Sequence, residues 1–295
     1  MSDRSRSNGG GRETLRRSNG NGGGQTATAA VKRHGGGQET NAAVWAAVSG
    51  MTIGEAWLHR DEPKSPKLLA RYDAIVAELA RGLPFAYAVG SVGFRTLDLA
   101  IDRRALIPRP ETEGLVELVL ARCSGGLVAD IGTGSGCIAL ALAVEGQFDK
   151  IVAVEHSPAA AALARENVQR IGPKTPVEIR EGNLLAPLGA NGERFRAIVA
   201  NPPYLTTSEY EALDPSVRAF EPSEALVSGI DGLAATRALF AGAAALLEPG
   251  GLLALEIDEQ RDGAVRQLGR DYGWSVDISH DLFNCPRYAL SIKED

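Results

Sequence analysis

Asn201-Pro202-Pro203-Tyr204 is the part of this sequence best suited to chemistry. The Asn side chain offers both a carbonyl oxygen and an NH2 group. The two prolines fix φ and remove two backbone N–H donors, so carbonyls beside them have few local partners and are free to accept from a ligand. A planar nitrogen bearing two hydrogens, an amide or an amino group, could be held there by two acceptors, with Tyr204 stacked on its face. A strand ending in a Pro-rich turn is the plain structural alternative. The preceding run Ala197-Ile198-Val199-Ala200 reads as a buried strand. The motif then stands at a strand's C-terminal end, the edge at which open α/β sheets bind ligands.

Upstream, the apolar run Leu127-Val128-Ala129-Asp130-Ile131 leads into Gly132-Thr133-Gly134-Ser135-Gly136 and then Cys137-Ile138-Ala139-Leu140-Ala141-Leu142-Ala143. This is strand, glycine-rich turn, helix. The glycines permit positive φ and close backbone approach to a ligand, and the helix start offers unpaired N–H groups. A P-loop needs Gly-Lys-Ser/Thr here, whereas Gly136 is followed by Cys137 and Ile138. The next strand, Ile151-Val152-Ala153-Val154, ends in Glu155, an acid placed to accept from ribose hydroxyls. That suits a nicotinamide dinucleotide and S-adenosylmethionine equally. Val177-Glu178-Ile179-Arg180 runs into Glu181-Gly182-Asn183-Leu184, placing Asn183 and Leu184 against an adenine edge and face. Asn-Pro-Pro-Tyr decides between the two cofactors, because a methyltransferase must hold a nitrogen in line with a sulfonium methyl and a nicotinamide enzyme has no evident use for it.

With a third block, Leu106-Ile107-Pro108-Arg109-Pro110-Glu111-Thr112-Glu113, the chain resembles the HemK/PrmC family of protein-(glutamine-N5) methyltransferases. Read alone, that block is a loop and a helix start, with Thr112 as the cap. Weaker matches continue at Glu221-Pro222, Ala225-Leu226, Gly229, Asp231-Gly232-Leu233, Glu256 and Gln260. The resemblance spans roughly Leu83 to the C-terminus.

The resemblance implies S-adenosylmethionine over Gly132, Thr133, Gly134, Ser135 and Gly136, with Glu155, Asn183, Leu184 and Asn201 as further cofactor contacts. A substrate glutamine enters beside Asn201, Pro202, Pro203 and Tyr204, with Arg109, Glu111 and Glu113 lining or bracing the entrance. Asn201, Pro202 and Tyr204 are the implied catalytic residues: the Asn201 side-chain oxygen and the Pro202 carbonyl accept the two amide hydrogens, and Tyr204 packs against the amide. Orientation and electrostatic preorganisation supply most of the rate, and no strong base is needed. The implied partner is a peptide-chain release factor, methylated at its Gly-Gly-Gln glutamine. A glutamine of another protein, such as a ribosomal protein, is the near alternative. Adenine N6 of nucleic acid and a non-catalytic adenosyl-binding module are the distant ones. The sequence departs from the family at Asn183 and Glu155, each where Asp is usual, at Asp258 where Gly is usual, and at Tyr87-Ala88-Val89-Gly90. None of these touches the implied reacting centre.

Four segments are expected. Residues 1–41 are rich in Gly, Ser, Asn and Arg and carry seven Lys/Arg against three Asp/Glu, a net of +4. Such a composition buries too little to offset its ordering entropy, so a disordered tail is expected, without the apolar stretch of a secretory signal. With -6 for the whole chain, the remainder carries about -10. Residues 42–82 read as a small helical substrate-recognition domain: Trp45, Val48, Leu68, Leu69, Tyr72, Ile75, Val76 and Leu79 have helical spacing, Pro63 and Pro66 divide it, and Thr40, Asn41 or Ser49 could cap its starts. Residues 83–107 read as a β-hairpin linker, with Leu97, Leu99 and Ile101 alternating. Residues 108–295 form the catalytic domain.

The fold expected is α/β: a seven-stranded, Rossmann-like, S-adenosylmethionine-dependent methyltransferase sheet with an antiparallel C-terminal hairpin. Gly232–Leu247 reads as a long helix ended by Gly250-Gly251, with Leu252–Ile257 as the next strand and a helix around Val265–Leu268. Trp274, Val276 and Ile278, then Tyr288, Leu290 and Ile292, mark the closing strands. Polar Leu205–Phe220 reads as a mobile loop over the site. A pI near 5.4 disfavours a large basic nucleic-acid face, and no apolar run reaches the roughly 20 residues of a membrane span. Three scattered cysteines imply a reducing compartment, and four histidines lack metal-ligand spacing, so no metal is expected. His156 is either a cofactor contact or an exposed loop residue. A cytoplasmic monomer that holds neither membrane nor nucleic acid stably completes the expectation.

Overall fold

The computed structural model describes residues 38–293. The expectation of a tail falls largely outside them. Its last four residues do not belong to it, because Gln38 already opens a helix.

The chain divides into two compact units after Ala80. The first holds helices α1 (Gln38–Ser49), α2 (Ile53–Leu58) and α3 (Pro66–Ala80). Its core is Val44, Val48, Tyr72 and Val76, with Trp45 stacked on Tyr72 at 4.2 Å between ring centroids. The caps are not those the sequence suggested. Thr40 and Asn41 lie inside α1 and Ser49 ends it. Thr52 instead caps α2 in a reciprocal box with Glu55, and the Leu68 N–H donates to Ser65 Oγ at the start of α3. Pro66 occupies the first position of α3, where a missing N–H costs nothing.

The second unit begins with a short helix, α4 (Phe85–Val89), so the segment read as a hairpin linker is helix first. The hairpin of β1 (Ser91–Phe94) and β2 (Leu97–Ala100) follows. Then come α5 (Pro110–Leu120), β3 (Leu127–Ile131), α6 (Cys137–Glu145), β4 (Lys150–Glu155), α7 (Pro158–Ile171), β5 (Val177–Glu181), β6 (Phe195–Ala200), α8 (Thr207–Ala212), α9 (Pro215–Phe220), α10 (Ala234–Ala243), β7 (Leu247–Glu256), α11 (Asp262–Asp271), β8 (Asp277–His280) and β9 (Pro286–Ile292). Seven strands make one sheet in the order β5-β4-β3-β6-β7-β9-β8. The first five are parallel, and β9 runs antiparallel to both β7 and β8. The expected α/β methyltransferase sheet with its C-terminal hairpin is present.

Alternation splits the central strands between two cores, as burial on both faces of a parallel sheet requires. Val128, Ile151, Ala197, Val199, Leu252 and Ala254 pack with α5 and α6. Ala129, Val152, Ile198, Ala200, Leu253 and Leu255 pack with α10 and α11. Helix α6 is buried along seven consecutive residues, Cys137 to Ala143, because α5 and the β1–β2 hairpin cover its outer side.

Two elements differ from their sequence reading. Helix α10 stops at Ala243, and Gly250-Gly251 lies within β7 rather than ending a helix. Leu247 pairs with Phe195 and Leu252 with Ala197, so the residues between them form a bulge, with Gly250 at φ +68°. Leu205–Phe220 is not a loop but two capped helices. Thr206 and Glu209 form a reciprocal capping box, and Asp214 caps α9 with Pro215 at its first position.

Candidate active site

Strand order reverses at β3, which has β4 on one side and β6 on the other. A crevice opens at the carboxyl ends of strands flanking such a switch point. Ile131 is level with Ala200, so the glycine-rich turn and Asn201 leave the sheet side by side. A cavity of about 420 Å³ lies there, within the range of small-molecule sites.

Of the residues the sequence singled out, Arg109, Gly132, Thr133, Gly134, Ser135, Glu155, Asn183, Leu184, Asn201 and Pro203 line this cavity, as does His156, which is also exposed. Gly136, Pro202, Tyr204 and Glu111 do not. Gly136 forms the end of the turn, in left-handed conformation at the start of α6. Pro202 is buried. Tyr204 is held among Glu256, Arg287 and Asp258; burial, reinforced by Glu256, pushes its phenol up to about 12 and keeps it protonated. Glu111 lends its main-chain carbonyl to the Tyr288 hydroxyl at 2.6 Å. Glu113 braces the β1–β2 turn, accepting from the Arg95 N–H at 2.9 Å.

The turn after β3 has left-handed φ at Gly132 (73°), Gly134 (56°) and Gly136 (85°), which a side chain would disfavour. The Gly134 N–H donates to Glu155 Oε2 and the Ser157 N–H to Glu155 Oε1, both at 2.8 Å. The carboxylate is thereby fixed at the cavity wall, and each oxygen keeps a lone pair for a hydroxyl. Leu184 has φ +47°, an uncommon state for a branched residue, and it presents its side chain to the cavity.

Asp130, the acid near the end of β3, is fully buried. Its Oδ2 accepts from Thr133 Oγ1 at 2.5 Å and from the Ala139 N–H at 3.0 Å. Its Oδ1 has no partner, nor does the buried Ser135 Oγ. Burial pushes this carboxyl up to about 7. Two unsatisfied polar atoms are costly; Ser135 lines the cavity, whereas Asp130 lies behind its wall. The turn, Glu155 and the orphaned Ser135 hydroxyl at the cavity wall fit S-adenosylmethionine. Buried Asn167 ties the turn to the hairpin: its Nδ2 donates to the Ser135 and Ala100 carbonyls, and its Oδ1 accepts from the Ala100 N–H.

Thr112 does not cap its helix. Arg109 occupies that position, and the Thr112 hydroxyl donates to Glu256 Oε2 at 2.7 Å while accepting from Asn201 Nδ2 at 3.1 Å. Sequence spacing gave no hint of this, since Thr112 and Glu256 are 144 residues apart. Gly114 allows the approach: a β-carbon there would collide with the Tyr288 hydroxyl.

Residues 111–217 match the methyltransferase small domain. The chain is 45% identical over 218 residues to the release factor glutamine methyltransferase of Xylella fastidiosa, covering 72% of this chain and 78% of that protein. It is 43% identical over 216 residues to the one from Moorella thermoacetica, covering 72% and 75%. The chain belongs to the release factor glutamine methyltransferase family. This is the family that its three motif blocks resemble. A solved methyltransferase from Pyrococcus furiosus, 20% identical, superposes with a TM-score of 0.52 over 68% of this chain and 91% of that one, which speaks for the fold. Among the described residues, no cluster of His, Cys, Asp and Glu could hold a metal, and no helix is long and apolar enough to cross a membrane.

Proposed function

We infer that this chain methylates the side-chain nitrogen of a protein glutamine, using S-adenosylmethionine, and that its substrate is the Gly-Gly-Gln glutamine of a peptide-chain release factor. Family membership supports the reaction. One observation carries the assignment of the site: Asn201 spends its Nδ2 on Thr112 at the rim of a cavity that also holds the glycine-rich turn and Glu155, leaving its oxygen for a substrate N–H.

The cofactor, when bound, supplies an electrophilic methyl group on a sulfonium. Gly132 to Gly136, Asp130, Glu155, Asn183 and Leu184 would hold it. Asn201 and the Pro202 carbonyl accept the two amide hydrogens of the glutamine, fix the direction of its nitrogen and favour its tetrahedral geometry. Positioning of this kind supplies most of the rate gain. The glutamine nitrogen sheds its extra proton after transfer, so no base of raised strength is needed. Tyr204 backs the motif as a neutral phenol. Arg109, gripped by Glu221, borders the entrance for the substrate loop. We place the enzyme in the cytoplasm, where release factors work, as a monomer.

Transfer from labelled S-adenosylmethionine to purified release factor, with ribosomal protein and DNA offered in parallel, tests the reading. One methyl on the Gly-Gly-Gln glutamine, located by mass spectrometry, is expected. Label only on another protein or on DNA would move the substrate and overturn the assignment.

A further inference from the structure

We propose that Thr112 and Glu256 are positioning residues that determine which end of the Asn201 amide faces the substrate. The inference rests on the glutamine-methylation reading. An Asn amide has one accepting end and one donating end of nearly equal shape, and only the accepting end can hold a substrate N–H. Packing alone does not tell them apart; hydrogen-bond direction does. Asn201 Nδ2 donates to Thr112 Oγ1, and Thr112 Oγ1 donates to Glu256 Oε2. An ionised carboxylate has no proton to give, so it ends the chain as a pure acceptor and commits the hydroxyl proton of Thr112. A flipped Asn201 would then set its oxygen against a hydroxyl oxygen with no hydrogen between them. Protonation of Glu256 removes this constraint, because a carboxylic acid can donate to Thr112 and let Thr112 donate to Asn201, which reverses the whole chain.

Both relay residues are 2% exposed, so water does not substitute for either. They come from different elements, Thr112 from the first turn of α5 and Glu256 from the end of β7. Glu256 shares the parity of Leu252 and Ala254 and so lies on the α5 and α6 face of the sheet, with α10 on the other. The ionisable groups around it are Glu111 of α5, Cys137 of α6, Arg287 and Tyr288 of β9, and Tyr204 beyond β6. Burial outweighs the Thr112 hydrogen bond, the Arg287 cation and a lesser hydrogen bond from Asn201 itself, and lifts the Glu256 carboxyl to about 7. The relay therefore changes polarity in the neutral range.

The test joins kinetics on a release-factor substrate with nuclear magnetic resonance of the Asn201 side-chain NH2 in asparagine-labelled protein. We expect wild-type kcat to fall on the acid side as Glu256 takes a proton, with the Asn201 NH2 resonances moving at the same midpoint. Thr112→Val and Glu256→Gln should lower kcat by about 10- to 100-fold, the size of a misplaced contact. They should lose the acid limb and leave cofactor affinity by calorimetry unchanged. Thr112→Ser should restore both rate and limb. Wild-type kcat and limb in Thr112→Val, or Asn201 resonances indifferent to pH and to the Val substitution, would overturn the proposal. Should the enzyme methylate no glutamine while those resonances shift as expected, the relay stands and the substrate assignment fails. The wild-type resonances keep the question decidable even if a variant does not fold.

Discussion

Arg109 and Glu221 meet across 112 residues of sequence through two hydrogen bonds of 2.7 and 2.8 Å. Glu221 is 6% exposed, and Arg109 borders the cavity. The pair ties the Pro-Arg-Pro-Glu-Thr-Glu block to the end of α9, so one side of the cavity is held by the α8–α9 segment. That segment is anchored at its other end as well, where Arg261 bridges Glu209 at 2.5 Å and Asp258 at 3.0 Å.

Removing one partner of a buried ion pair strands the other. Arg109→Ala should therefore destabilise the protein by about 3 kcal/mol, the low end for such losses because Arg109 is partly exposed. Adding Glu221→Leu to Arg109→Ala should recover much of that stability but not substrate affinity. Urea unfolding of the single and double variants checks the first effect, and KM for release factor checks the second. A double variant no more stable than Arg109→Ala would remove the stranded-charge argument.

Asn201→Ala removes the acceptor proposed for the substrate N–H while leaving the glycine-rich turn and Glu155 intact. We expect kcat to fall by about 10²- to 10³-fold, as for loss of one preorganised polar contact in a reacting site, with the dissociation constant for S-adenosylmethionine nearly unchanged. Calorimetry and a single-turnover assay separate the two effects. Equal loss of both would make Asn201 a cofactor ligand rather than an orienting acceptor.

The cavity was legible because its parts are local. Strand, glycine turn and helix occur within Leu127–Ala143, and an apolar strand ending in Asn201 needs no distant partner to be read. Glu155 is legible for the same reason. Helices α8 and α9 were missed although their caps stand in the sequence, since six residues are too few to show a helical period and their polarity suggested a loop. The early start of β7 was hidden by Gly250-Gly251, which reads as a helix stop and serves as a bulge. The role of Thr112 was not legible at all. Its neighbours in sequence mark a helix start, and only the pairing of β7 beside β6 brings Glu256 to it. Asp130 could have been found, because an acid in an otherwise apolar buried strand needs an explanation.

Asp130 is predicted to matter for the cofactor rather than for the transfer step. Asp130→Ala deletes the acceptor for Thr133 and Ala139 and the unpartnered Oδ1. A hydrogen bond to a charged group contributes about 1.5–3 kcal/mol, so affinity for S-adenosylmethionine should drop by about one to two powers of ten. Titration calorimetry measures this without turnover. Unchanged affinity would separate Asp130 from the cofactor.

Asn167→Leu is close in size yet removes three hydrogen bonds that join the turn to Ala100. Leaving the Ser135 carbonyl and the Ala100 carbonyl and N–H unsatisfied should cost about 3 kcal/mol or more, from the low end of a penalty of about 1–3 kcal/mol for each of the three groups. The loss should appear in the denaturant midpoint with an unchanged slope. Faster amide hydrogen exchange at Ala100, whose N–H donates to Asn167 Oδ1, should accompany it, and a wild-type midpoint would count against the staple.

Stability should vary with pH in a direction opposite to activity. Asp130 and Glu256, ordinarily 3.8 and 4.5, are both lifted to about 7 by burial. Between those limits the folded chain holds protons that the unfolded chain has released, so stability falls as pH rises. Their contribution is complete below the ordinary values and is lost as pH passes about 7. Glu178 acts the other way: hydrogen bonds first from Arg180 and then from Lys150 lower it to about 2, so its contribution is present above 4.5 and lost in strong acid. The cofactor-free protein should therefore be most stable on the acid side of neutrality, where Glu256 is protonated and the proposed Asn201 relay is slack. Glu256→Gln cannot titrate and should flatten the fall in melting temperature between pH 4.5 and about 7. A melting temperature that climbs through this range in the wild type, and climbs equally in Glu256→Gln, would show that the carboxyl is not raised by its burial.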